Sequence, residues 1–235
     1  MLPPLFPAIS YQADAFTFEH HRQPAFSILP QVFLVYSISI KLDGPSQIEI
    51  NCGGKLTRRS LTQGDVTIVP YRFSLAGAQV EACEFLEVCL QPSIVDRAAK
   101  ELGLSNHFEL VPVLGVVDPL VEETIYQLEE ELTRGLQKSS YKNLLVDNLA
   151  KHLVRYYASG TWTRTNVGGF PDYLLNGTLG HMDSSRDLNL SPDEIARAFG
   201  VEPARFARAF KSATGKSIHQ YLSERAERLI NKSQQ

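Results

Sequence analysis

The segment Pro192-Asp-Glu-Ile-Ala-Arg-Ala-Phe-Gly-Val-Glu-Pro-Ala-Arg-Phe-Ala-Arg-Ala-Phe-Lys211 leaves the chain little conformational choice. Ser191 is placed to cap a helix that Pro192 begins, and Glu194 stands three residues after the cap, the spacing of a capping box. Ile195 and Phe199 form the apolar edge of that helix, and Ala196 falls where a second helix must cross closely. Gly200, four residues on, suits a turn of positive φ, where a Cβ would be strained. Val201 then plugs the corner, and a second helix starts near Glu202 and Pro203, burying Phe206, Ala209 and Phe210. This is the pattern of a helix-turn-helix.

The other face of the second helix carries Pro203, Ala204, Arg205, Arg208 and Lys211, where a recognition helix meets the major groove. Arginine is the natural bidentate reader of guanine, while lysine neutralises phosphate. DNA is therefore the expected partner, and a helical hairpin with a solvated basic face is the alternative. The net charge of −3 averages over unequal parts. From Arg186 onward nine Lys and Arg face six Asp and Glu, whereas the rest holds fourteen against twenty. A basic C-terminal unit on an acidic body fits a nucleic-acid partner.

The remainder divides by texture. Between Phe16 and Leu90 short alternating runs, at Val32–Ile40, Gln47–Asn51, Val66–Pro70 and Ala82–Leu90, predict strands of a sandwich or barrel. Within it a Gly64-Asp65 turn feeds a β-branched strand that Pro70 ends. A short helix is expected over Pro92–Leu102, with Ser93 as a plausible cap. Asp118-Pro119 opens a longer one with an apolar stripe at Val121, Ile125, Leu128, Leu132 and Leu136. A second, over Tyr141–Ala158, repeats the stripe with Leu145, Leu149, Leu153 and Tyr156, so the two should pack antiparallel. Their stripes can face the barrel or a second copy of the chain. Ser159 to Pro171 loses periodicity and reads as a linker, and Asp172–Met182 as a helix weakened by Gly177 and Gly180.

Ile195-Ala-Arg-Ala-Phe-Gly-Val, then Phe210-Lys-Ser-Ala-Thr-Gly, then Tyr221-Leu and an Arg-bearing helix, resemble the arabinose-regulator (AraC/XylS) family of transcriptional regulators. The Gly64-Asp65…Pro70 segment resembles that of cupin-type barrels, and the two following helices resemble the family's effector-binding and dimerising half. The resemblance implies an α+β chain. Residues 1–158 would form a cupin-like effector-binding and dimerisation domain, 159–171 a linker, and 172–235 a partial DNA-binding domain. It further implies a small-molecule effector, a homodimer and control of transcription. The family carries two helix-turn-helix units, and the expectation is that this sequence holds only the first. The expectation is weaker DNA binding than a complete member's, with Arg225 and Arg228 as added phosphate contacts. A truncated reading frame, a shortened chain or a natural short form would each account for that. A dimerising antagonist that does not bind DNA is the alternative within regulation.

A cupin metalloenzyme is the alternative of another class. Such sites need clustered histidines, yet His20 and His21 are adjacent, and so face opposite sides of a strand, and no histidine follows until His107. No metal, cofactor or catalytic residue is expected, and no nucleophile elbow or phosphate loop occurs. A barrel without metal can still hold an effector in its mouth, with Arg58, Tyr71 and Glu87 as candidate contacts beside Arg59 and Arg72. Cys83, Phe85, Glu87 and Cys89 share one strand face, which the pattern alone does not assign to the inside. Cys52, Cys83 and Cys89 form no even set, and the segment Met1–Pro7 lacks a basic region. A reducing cytoplasm, with no membrane span and no secretion signal, is the expectation.

Overall fold

A computed structural model describes residues 9–52, 55–104, 108–134, 140–158, 167–185 and 190–233. The chain is α+β and divides into two units: Met1–Gly115 with Leu120–Asn166, and Val116–Pro119 with Val167–Gln235.

The first unit is built on antiparallel strands: β1 (Ile9–Gln12), β2 (Phe16–Gln23), β3 (Phe26–Val32), β4 (Tyr36–Lys41), β5 (Ser46–Cys52), β6 (Lys55–Leu61), β7 (Val66–Val69), β8 (Ser74–Gln79) and β9 (Cys83–Leu90). Helix α1 (Pro92–Glu101), strand β10 (Val113–Val116) and helices α2 (Pro119–Thr133) and α3 (Ser140–Tyr157) follow. One sheet runs β1-β2-β9-β4-β7-β10, and a second runs β3-β8-β5-β6. In the first, alternation sorts the side chains. Phe16, Phe18, Ile38, Ile40, Leu86, Val88 and Leu90 are at most 1% exposed and share one face. His21, Ser37, Ser39, Phe85 and Glu87 share the other, which borders a cavity closed by Ile48, Ile50 and Leu75 of the second sheet. Helix α2 reaches the former face through Glu129, 3.3 Å from His20 Nδ1. Helix α3 meets β1, where Lys142 Nζ donates to Tyr11 Oη at 2.7 Å. The stripes Val121, Ile125, Leu128 and Leu145, Leu149, Leu153 are buried. Leu136 lies outside the described residues.

The turn before β7 forms as its residues dictate. Gly64 adopts φ 77°, and the buried Asp65 carboxylate accepts from the Thr62 amide at 2.9 Å. Three expectations need correction. The run Val32–Ile40 is not one strand, because the Phe33 backbone pairs with the turn after β7: its amide donates to Phe73 and its carbonyl accepts from Arg72. Ser93 does not cap α1. Gln91 is the capping position and Pro92 opens the helix, leaving Ser93 exposed within it. Of the expected linker, residues 159–166 lie outside the described residues, but Val167–Gly169 is a strand, β11, rather than coil.

The second unit comprises β11 and helices α4 (Asp172–Ser184), α5 (Pro192–Ala198), α6 (Pro203–Thr214) and α7 (Ile218–Ser233). Its core gathers Val117, Phe170, Leu174, Met182, Ile195, Ala196, Val201, Phe206, Ala209, Phe210 and Ile218. Phe170 and Phe206 sit 4.9 Å apart, and Phe210 meets Tyr221 edge-on at 5.6 Å. Each buried phenyl ring contributes about 1.5–3 kcal/mol of transfer free energy, so these rings dominate a small core. Gly177 permits the approach of Phe199, since a Cβ there would lie 3.3 Å from its ring.

Candidate functional site

Two places in the molecule assemble chemistry, one in each unit. In the second unit α5 and α6 flank a four-residue turn, Phe199 to Glu202. Gly200 takes φ 68°, and the Val201 amide donates back to the Ala196 carbonyl at 3.0 Å. Ala196 is fully buried, as a close helix crossing demands, and Ile195 and Val201 are buried beside it while Phe199 is partly covered. Ser191 holds the capping position of α5, yet its side chain makes no capping hydrogen bond, so the capping box does not form. The cap that does form is on α6. The Glu202 carboxylate accepts from the amides of Ala204 and Arg205 at 2.9 and 2.8 Å, and these bonds hold its pKa below the ordinary glutamate range. The opposite end of α6 closes on Gly215 at φ 76°.

Helix α6 spans twelve residues, about 18 Å at the usual rise. Phe206, Ala209 and Phe210 are buried, whereas Ala204, Arg208 and Lys211 are exposed and Pro203 and Arg205 are half-buried. The helix thus presents Arg208 and Lys211 to solvent one turn apart, with the Arg205 head group partly drawn into the protein. Of the two arginines expected to add phosphate contacts, Arg225 is otherwise engaged. It is 3% exposed and donates to the Ser185 carbonyl, tying α7 to the end of α4. Arg228 is exposed, with its guanidinium 6.0 Å from the Tyr221 ring.

In the first unit the two sheets enclose a cavity of about 350 Å³. Strand β9 turns Cys83, Phe85, Glu87 and Cys89 toward it. Of the three expected effector contacts only Glu87 is there. Arg58 points outward, 72% exposed and paired with Glu49 at 2.5 Å, because Ile48 and Ile50 take the inward positions of β5. Tyr71 lines a separate depression near the end of β7 with Tyr36, Arg72, Asp96 and Glu109. Arg72 stacks over its ring at 5.0 Å, and burial foremost pushes the Tyr36 hydroxyl up to about 12.

The polar end of the cavity is richer than the sequence reading expected. His20 and His21 do face opposite sides: His20 pairs with Glu84 at 2.8 Å, and His21 points inward. His21 is 2% exposed, stacks on Phe85 at 4.7 Å, and has Nε2 3.0 Å from Glu19 and 3.4 Å from Glu87. The Ser37 hydroxyl donates to the other Glu87 oxygen at 2.5 Å. Burial alone would raise the Glu87 carboxyl, but His21 and Ser37 outweigh it and hold it below its ordinary value. Burial pushes the Cys83 thiol up to about 11 and raises Cys89 as well, so both remain protonated at neutral pH. A search for histidine clusters misses Glu19, His21 and Glu87. The Glu-x-His spacing on β2 was the available signal, since residues two apart share a face.

No family model matches the chain, and no curated protein matches it. Similar solved structures include the AraC-like transcriptional activator CuxR, with 12% identity, 95% of this chain and 79% of that chain covered, and a TM-score of 0.45. A cupin superfamily protein from Desulfitobacterium hafniense has 18% identity over 34% of this chain and 72% of that chain, with a TM-score of 0.30. A cupin domain from Bordetella pertussis has 13% identity over 38% of this chain and 95% of that chain, with a TM-score of 0.32. Likenesses this distant assign no family. Among the described residues no helix is long and apolar enough to cross a membrane.

Proposed function

We propose that the chain is a transcriptional regulator that binds DNA through α6, with a small molecule held between the sheets of the first unit as its effector. The observation that carries the reading is the α5–turn–α6 geometry: a buried Ala196 at the crossing, Gly200 at φ 68°, and Arg208 and Lys211 exposed on the face opposite the core. An α-helix of this length fits the major groove, where Arg208 can read a guanine edge and Lys211 can neutralise a phosphate. The cavity supports the effector half of the reading. It offers apolar walls with convergent polar groups at one end, the general form of a small-molecule site. A homodimer would present two such helices to adjacent half-sites.

The test is binding to labelled promoter fragments over a salt series, comparing wild type with Arg208→Ala and Lys211→Ala. Wild-type affinity should fall linearly with salt on logarithmic axes. Lys211→Ala should flatten that slope by about one unit, and Arg208→Ala should cost about 1–3 kcal/mol, mostly on the preferred sequence. Three identical titrations would overturn the assignment of α6.

A further inference from the structure

We propose that Glu19, His21 and Glu87 form a binding site for a first-row divalent metal ion at the polar end of the cavity. The argument begins with register. Glu19 and Glu87 are direct cross-strand partners on β2 and β9, and like charges placed opposite one another destabilise a strand pair unless something cancels them. His21 lies two residues along the same face and brings its Nε2 to both carboxylates. One donor atom from each residue falls within 4.8 Å of the others.

Two of the three donor separations fit a shared ion. Metal–ligand bonds of about 2.1 Å place neighbouring donors about 3.0 Å apart in an octahedron and about 3.4 Å apart in a tetrahedron. His21 Nε2 is 3.0 Å from Glu19 Oε2 and 3.4 Å from Glu87 Oε2. An N–H···O contact could have the same length, so direction decides. The buried Nε2 has no aligned hydrogen bond to either carboxylate, although both are in range. The other ring nitrogen supplies the reason. Nδ1 lies 3.1 Å from the Gln23 amide, and the Gln23 oxygen is itself buried without a partner. When that amide turns its oxygen to Nδ1–H, the oxygen is satisfied and a metal ion can take the place of the Nε2 proton between the two carboxylates.

The supporting shell is also of the kind that metal sites use. A histidine ligand donates its second N–H to a carbonyl oxygen, and a ligating carboxylate is fixed by a hydrogen bond. Ser37 provides the second, Gln23 provides the first once its amide is turned, and Phe85 holds the imidazole plane. Two carboxylates and one imidazole suit manganese, iron or zinc rather than a thiophilic ion. Three protein donors leave coordination positions toward the cavity, which His21 and Glu87 both border. A ligand entering there could bind the ion directly.

Metal binding is measured on the full chain without DNA, so its outcome is separate from that of the α6 assignment. After chelator treatment and dialysis, Mn(II) and Zn(II) are titrated calorimetrically into wild type, Glu19→Gln, Glu87→Gln, Gln23→Leu and His181→Asn. Wild type and His181→Asn, altered at an exposed histidine of α4, should take up one ion per chain. Both glutamine variants should bind at least about tenfold more weakly, and Gln23→Leu should lose about 10–100-fold while keeping the stoichiometry. The ion should raise the melting temperature of wild type and not of Glu19→Gln. Glu19 is 32% exposed, so its variant should fold even if Glu87→Gln does not. Failure of wild type to bind either ion saturably, or Glu19→Gln binding as tightly as wild type, would overturn the site.

Discussion

Gly200 and Glu202 show how single residues fix the geometry of α6. At φ 68° a Cβ on residue 200 would meet nothing within 4 Å, so packing does not select glycine there. Backbone strain does. Gly200→Ala should cost about 1–2 kcal/mol, readable as a lower melting temperature with the helix content unchanged. Gly200→Asn should cost less, because asparagine tolerates the left-handed region. A silent Gly200→Ala would mean that the turn relaxes without penalty. Glu202 acts through charge. Its carboxylate, held below the ordinary range by two backbone amides, contributes stability that is present above the unfolded-state glutamate value and lost as pH falls through the lower folded one. Glu202→Ala should remove about 0.5–2 kcal/mol at neutral pH. It should also flatten the acid limb of the stability curve. An unchanged acid limb would count against the cap. The sequence marked where α6 begins but not this bond, because Asp, Asn, Ser and Thr are the usual capping residues.

Elements show a sharper divide between what short-range spacing reveals and what pairing decides. The α5–turn–α6 hairpin was legible because its determinants, Ala196, Gly200, Val201 and Phe206, lie within eleven residues and each answers a local demand. The interior of the barrel was not. Whether Glu87 faces in depends on β9 pairing with β2 and β4, and its neighbour Glu19 is brought opposite only by that register. Arg58 was misplaced for the same reason: β6 alternates as a strand should, but only its partner β5 shows which face is inside. Arg225 presents a second kind of difficulty, an arginine on an amphipathic helix whose contact is a carbonyl forty residues away. Its role is to hold α7 against α4. Arg225→Met should destabilise the second unit by about 1.5–3 kcal/mol, since the partly buried Ser185 carbonyl loses a charged donor. Helix signal in circular dichroism and the unfolding midpoint would register it. A midpoint equal to wild type would show that Arg225 is not holding the helices and return it to the candidates for DNA contact.

Across the whole molecule, the second unit is not a continuous stretch of sequence. It includes Val116–Pro119, the short link between β10 and the body of α2, as well as everything from Val167 onward. Val117 is 1% exposed within the core of that unit, and its amide donates to the Gly169 carbonyl at 3.0 Å. The adjacent Asp118, which the sequence marked as the cap of α2, accepts from the Tyr173 hydroxyl at 2.8 Å. A boundary drawn at residue 159 or 172 therefore cuts through the second unit's own core. Residues 167–235 made alone should melt at a lower temperature than the same helices in the full chain, because the fragment exposes the Phe170 side of its core and leaves Tyr173 without Asp118. Val117→Ala in the full chain isolates the packing part of that loss and should cost about 1–3 kcal/mol. Tyr173→Phe isolates the hydrogen bond and should cost about 0.5–1.5 kcal/mol. Amide hydrogen exchange on α4 and α6 reads both variants at the unit concerned, and faster exchange there is the expected outcome. If the fragment matches the full chain in protection and melting temperature, the link contributes nothing. The second unit would then be the self-sufficient C-terminal domain that its sequence suggested.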